Sequence, residues 1–166
     1  MNRLVLMLAV ASIFVTGIAH AQQQAAPPAQ QLPAYGTPMT LDQAKKAMAA
    51  AEAEAAKNSW PMVIAIVDST GHLLALHRMD NGSYGSIKIA IGKAQTAFEF
   101  RQPTKNYNDR LTAGTAPHLL TIRGATFIEG GIPIVAGGKI VGAIGVSGGT
   151  TTQDGQVAKA GADIVQ

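Results

Sequence analysis

Two hairpin-forming stretches constrain this chain more than any other feature. Residues 62–68 (MVIAIVD) form an apolar run, Ser69-Thr70-Gly71 interrupts it, and residues 72–79 return as a second run. Strands joined by so short a turn must lie antiparallel. Further along, residues 125–129, 132–136 and 139–147 read as three more strands, with Gly130-Gly131 and Gly137-Gly138 as the turns between them. Strands that enter as hairpins predict a mainly antiparallel, about five-stranded sheet rather than a stack of βαβ units.

The segments between the strands carry helical period. Thr40 and Gln43 stand at the two positions of a capping box, and the Ala-rich sequence that follows predicts a helix to about Asn58. A second helix is expected from about Tyr84 to Phe100, with Ile87, Ala90, Ile91, Ala94, Ala97 and Phe98 on one apolar stripe. Residues 104–111 read as another short helix. Thr151 or Thr152 caps a last helix that runs nearly to the C-terminus. The class is α+β, with helices packed on the sheet.

The start of the chain follows different rules. Arg3, the apolar run over residues 4–15 and Ala19-His20-Ala21 match a secretory signal peptide cleaved after Ala21. The apolar run is too short for a spanning helix, which needs about 20 residues. No stable membrane insertion is therefore expected after cleavage, and the mature protein is expected in the periplasm or outside the cell. Residues 22–39 are rich in Gln, Ala and Pro and read as a flexible tether. The folded domain is expected over residues 40–166.

Composition narrows the chemistry. The chain has no cysteine, which removes disulfides, thiolate nucleophiles and thiolate-ligated metals. A formal charge of +3 with scattered basic residues, and an aromatic share of 5%, give no phosphate-tracking or base-stacking surface. Nucleic acid is not an expected partner.

Four groups of residues could carry chemistry. His72 and His77 lie five apart on one strand and point to opposite faces, so they are poor co-ligands for one ion. A single axial contact to a haem, from His77 or His118, needs only one imidazole. Arg78 and Asp80 alternate with Met79 and share a face, either as an ion pair or as an anchor for a carboxylate ligand. Lys93 and Thr96 fall three apart on a helix face beside the apolar stripe, within reach of a ligand held between helix and sheet. Ser147, Gly148 and Gly149 precede the last helix, where free N–H groups could meet an anion. This glycine run is neither a P-loop nor a Rossmann fingerprint.

Taken in order, these motifs resemble one family. Val67-Asp68 with Gly71, Arg78-Met79-Asp80 and Lys93-Ala94-Gln95-Thr96-Ala97 carry the first half of the resemblance. Gly130-Gly131-Ile132-Pro133-Ile134, Gly142-Ala143-Ile144-Gly145-Val146-Ser147-Gly148-Gly149, and Gln153-Asp154 with Ala160-Gly161 carry the second. Together they are similar to the GlcG/HbpS family, also found as the C-terminal domain of PduO-type proteins.

The resemblance implies a profilin-like α+β sandwich that assembles into homo-oligomers. It implies haem or a related tetrapyrrole, or another small anionic ligand, as the bound molecule, and a sensor kinase as a partner. PduO-type relatives use a first-helix histidine for haem; residues 40–59 contain none, which leaves His77, His118 or a hydroxyl for the iron. On this expectation Arg78, Lys93 and the helix start at residues 148–152 meet the ligand's carboxylates. Two alternatives stand beside it. One is an enzyme acting on a small 2-hydroxy or 2-oxo acid, with Asp80 as base and Arg78 as anchor. The other is an accessory regulator that needs no catalytic residue.

Overall fold

The structure is a computed structural model that describes residues 31–165; the signal peptide and the first half of the tether lie outside the described residues. Its elements run β1 (Ala34–Tyr35), α1 (Leu41–Lys57), β2 (Val63–Asp68), β3 (Leu73–Arg78), α2 (Tyr84–Phe100), α3 (Lys105–Thr112), a 3-10 turn (Pro117–Thr121), β4 (Gly131–Ala136), β5 (Lys139–Ser147) and α4 (Thr151–Ala162). The α+β class holds, with five strands in one sheet and four α-helices. No described helix is long and apolar enough to cross a membrane.

Both hairpins form. β2 runs antiparallel to β3 on one side and to β5 on the other, and β4 returns antiparallel along the far side of β5. The fifth strand is short: Ala34 and Tyr35 pair in parallel with Lys139 and Ile140. Residues 34–35, placed by sequence in the tether, therefore join the sheet. Met39 follows them into the core, 5% exposed.

Strand alternation sorts the side chains into two packed faces. Ile64, Ile66, Ile144 and Val146 pack with the alanine stripe of α1 and with Val157 and Ala158 of α4. Val63, Ala65 and Val67 face the other way, toward Ala90, Ala94 and Ala97 of α2. The helices are positioned by their caps. Thr40 and Gln43 make both bonds of a capping box at α1. Thr150 and Gln153 make the same box at α4, so the cap lies one residue before the pair named from sequence.

Residues 125–129 do not form the strand their sequence suggests. Their backbone groups go to helix side chains instead of a ladder: the Thr126 N–H donates to Thr96 Oγ1 at 2.8 Å, and the Ile128 carbonyl accepts from Thr104 Oγ1 at 2.7 Å. Phe127 closes a small aromatic cluster with Phe100 and Tyr107. A β-rich composition was outweighed by partners in α2 and α3.

Gly145 sets how closely α2 lies on the sheet. A Cβ there would stand 2.1 Å from the Ala90 carbonyl oxygen and 2.5 Å from the Ala94 nitrogen. Both neighbours are helix backbone and cannot step aside without moving α2. Gly145→Ala is expected to lower stability by about 3 kcal/mol, the upper range for overpacking a close-packed core. Gly137 has φ +55° in the β4–β5 turn, with open space around it; Asn tolerates that conformation, so Gly137→Asn is expected to cost under about 1 kcal/mol. Urea denaturation of both variants checks the contrast.

Candidate functional site

The site is built where α2, the end of β5 and the start of α4 converge. Helical spacing places Lys93 beside Ala94 on the buried side of α2, yet at the margin of the sheet rather than over it. Its Nζ donates to the Val146 carbonyl at 2.9 Å and to Asp154 Oδ2 at 2.7 Å. Asp154 Oδ1 accepts the Gly149 N–H at 3.0 Å. Lys93 is 1% exposed and Asp154 3%. Burial pushes the Lys93 ammonium down from the usual lysine range and pushes the Asp154 carboxyl up, while the attraction between them works against both shifts.

Gly130 closes over this pair. Its φ is +123°, a backbone region that side chains avoid. A Cβ would meet the Val146 carbonyl at 2.7 Å and Lys93 Nζ at 2.9 Å. The Gly130 carbonyl in turn accepts the Val146 N–H at 2.9 Å. The turn between the 125–129 segment and β4 is therefore seated directly on the ion pair.

A cavity of about 460 Å³ opens on the outer side of that turn, inside the range usual for small-molecule sites. The start of α3 supplies Pro103, Lys105 and Asn106; the turn supplies Glu129, Gly130, Gly131 and Ile132; α4 supplies Thr152, Gly155, Gln156 and Lys159. Its cations are already partnered one helical turn away: Lys105 with Asp109 at 2.7 Å and Lys159 with Asp163 at 2.5 Å. Glu129 is different. It is half-buried and makes no ion pair or side-chain hydrogen bond among the described residues.

The residues singled out from sequence fall in three places. Lys93 sits under the cavity floor, but Asp154 neutralises it, so it offers no free cation to a ligand. Gly148 and Gly149 form the exposed loop above Asp154, and Ser147 is buried in the sheet opposite Val63. Thr96 is buried and holds the Thr126 N–H.

Arg78 lies elsewhere and makes no ion pair with Asp80. Its Nη1 donates to the Gly82 carbonyl at 3.1 Å, and its guanidinium stacks 4.7 Å above the Tyr84 ring. Asp80 is exposed and borders a separate hollow with Ser59, Trp60 and Asn81. His77 is exposed on β3, its Nδ1 2.8 Å from Glu52 Oε1; His118 is exposed on the 3-10 turn. Neither histidine lines the cavity. Among the described residues, no group of three His, Cys, Asp or Glu side chains is placed to hold a metal ion.

Glu129, Lys105 and Lys159 escaped the sequence reading. Both lysines show there only as members of i,i+4 surface pairs. Glu129 carries one local signal: a carboxylate immediately before the Gly-Gly turn that opens β4.

Comparison with known proteins places this geometry in context. The family described as haem degrading protein HbpS-like matches residues 39–163. The protein GlcG of Escherichia coli strain K12 is 43% identical over 114 residues, which span 66% of this chain and 81% of that one. The crystal structure of HbpS aligns with a TM-score of 0.72 at 36% identity, covering 86% of this chain and 99% of that chain. The solved PduOC:Heme complex aligns with a TM-score of 0.69 at 24% identity, covering 78% and 96%, a likeness of fold.

The buried pair makes a sharp prediction. Asp154→Asn leaves an ammonium in a dry site without its counter-charge and is expected to cost about 3–5 kcal/mol of stability. Replacing both partners, Lys93→Met with Asp154→Leu, is expected to restore most of that loss, because no charge is then buried. A double-mutant cycle by chemical denaturation measures it; a double variant no more stable than the single one contradicts the assignment.

Proposed function

The chain belongs to the HbpS-like family, and on that premise we propose that it is an exported binding protein for haem or a related tetrapyrrole. The observation that carries this reading is that the matched residues, 39–163, are those that build the cavity and the buried pair beneath it. The signal-peptide pattern at residues 1–21 supports export to the periplasm or beyond.

The cavity's residues suit such a ligand in three respects. Pro103, Ile132 and the bare backbone of Gly130 and Gly131 offer an apolar wall to a macrocycle. Lys105 and Lys159 stand where two carboxylates could be met. Their present partners are exposed i,i+4 acids, in pairs that solvent screens; a ligand carboxylate can replace them at little cost. Oxygen donors are present in Glu129 and Thr152. Imidazole, thioether and phenol are not on the wall, so haem here would not be held by the commoner axial ligands. Bound haem would supply a redox-active iron; the chain's part is to hold the carboxylates and shield one face from water.

A smaller carboxylate metabolite, such as a 2-hydroxy or 2-oxo acid, is the second reading. The cavity volume and the two lysines favour it, and it calls for the same residues.

Hemin titration of the purified protein is expected to give a shifted Soret band. Lys105→Glu with Lys159→Glu is expected to weaken binding roughly tenfold, the equivalent of about 1.4 kcal/mol. Arg78→Ala and His77→Ala are expected to leave it unchanged, since neither side chain borders the cavity. Absence of a Soret shift overturns the tetrapyrrole reading. Thermal stabilisation by 2-oxo acids without hemin binding would select the second.

A further inference from the structure

We propose that the chain carries a second ligand site, an apolar hollow beside the 3-10 turn that takes a single hydrocarbon chain ending in a carboxylate, the chemistry of a fatty acid. It shares no residue with the cavity described above and does not depend on the tetrapyrrole reading.

The hollow holds about 370 Å³, within the range of small-molecule sites. Seven of its eight lining side chains are apolar. Leu111 comes from the end of α3, Leu119, Leu120 and Ile122 from the 3-10 turn and the residue after it, and the rest from residues 125–128. Three of these side chains stay open to water: Leu120 is 76% exposed, Ile128 41% and Ile122 40%. Apolar side chains exposed together rather than singly mark a binding surface.

The two walls are held differently. Residues 125–128 are fixed by Thr96 and Thr104, which take the Thr126 N–H and donate to the Ile128 carbonyl, and by Phe127 in its aromatic cluster. The opposite wall is bracketed by Gly114 at φ +69° and Gly124 at φ +84°, each with open space where a Cβ would stand. Between them only Ala116 and Leu119 are buried, packed with Tyr107 and Phe127. Leu120 and Ile122 are left outside that cluster, free to close on a ligand.

The chemistry of the occupant follows from what the walls offer. The Thr126 N–H and the Ile128 carbonyl are already bonded, so a buried polar group of the ligand would find few partners, and that is costly. A polypeptide segment would bring such groups at every residue; a hydrocarbon chain brings none. Charge then decides the other end. From residue 110 to residue 128 the sequence holds Arg110, His118 and Arg123 and no Asp or Glu. The flanking acids are engaged elsewhere: Asp109 pairs with Lys105, and Glu129 lies against α4 at Gly155. Arg110 adjoins Leu111 and Arg123 adjoins Ile122. Both are exposed and make no ion pair among the described residues. Two guanidinium groups one residue away from an apolar wall suit a carboxylate held at its rim.

Titration calorimetry of the purified protein tests this with octanoate, decanoate and dodecanoate below their micelle concentrations, and with 1-decanol. Affinity is expected to rise roughly fourfold for each added methylene, as burial of hydrocarbon requires. Arg110→Glu with Arg123→Glu is expected to weaken decanoate about tenfold and decanol less than about twofold, since only the acid meets the arginines. Leu120→Asp is expected to weaken both while leaving the thermal transition in place, because that side chain is exposed. Absence of the chain-length trend overturns the proposal, and so does equal weakening of acid and alcohol by the charge reversal. Binding to phosphatidylglycerol vesicles without binding of monomeric acids would replace it with a bilayer surface. A fall in sedimentation mass on Leu120→Asp, again without acid binding, would replace it with a second copy of the chain.

Discussion

One ammonium and one carboxylate, both shut away from water, hold the working end of this fold together. Lys93 comes from α2 and Asp154 from α4, helices on opposite sides of the sheet. They meet beside Val146, near the end of β5 and under the Gly130 turn. The remaining groups then fall into place around them. The Val146 carbonyl takes a second Lys93 hydrogen, and Asp154 takes the Gly149 amide. Gly130 has to be glycine to lie over them. Two charges with these partners are close to satisfied, which is the condition under which a buried pair is tolerated at all. An apolar pair could be as stable. What the ionic pair adds is direction: hydrogen bonds fix the loop at residues 148–149, the Gly130 turn and the start of α4 to one another, and the turn and α4 then line the cavity together with the start of α3.

The rest of the packing allows that meeting by keeping the layers thin. Ala90, Ala94 and Ala97 on one side, and Ala44, Ala47, Ala51 and Ala55 on the other, bring the helix axes close to the sheet. Gly145 lets α2 touch it at the backbone. With bulkier residues at these positions α2 would stand further off, and Lys93 would no longer span from its own layer to the first turns of α4. The alanine content that looks featureless along the sequence is thus a distance constraint on the ion pair.

That distinction explains which parts could be read from the chain alone. α2 was legible to the residue because a stripe of period 3.6 bounded by Pro103 admits one reading, and α1 because its cap and N3 residue both appear in sequence. The hairpins were legible from their turns. The 125–129 segment was not, since its strand-like composition is local while the hydroxyls of Thr96 and Thr104 that claim its backbone lie 30 and 24 residues away. The same limit hid the site. Lys93 stood out as a polar residue beside an apolar stripe, but its partner is 61 positions distant. Arg78 and Asp80 stood out because they alternate on a strand; a stacking tyrosine and a backbone carbonyl took the guanidinium instead. Periodicity reports which face a residue occupies, and says nothing about which distant element will reach that face.

Charge in the cavity follows from this arrangement. The carboxylate of Glu129 favours the charged form of two ammonium groups, Lys93 beneath the turn and Lys105 on the cavity wall. Asp154 acts on Lys93 more strongly, through a hydrogen bond at 2.7 Å. Lys105 and Lys159 are also paired with Asp109 and Asp163, one helical turn along. Glu129 itself lies against α4 where Gly155 has no side chain. The buried pair therefore fixes the turn that carries Glu129, and so sets where that carboxylate stands among the lysines of the cavity.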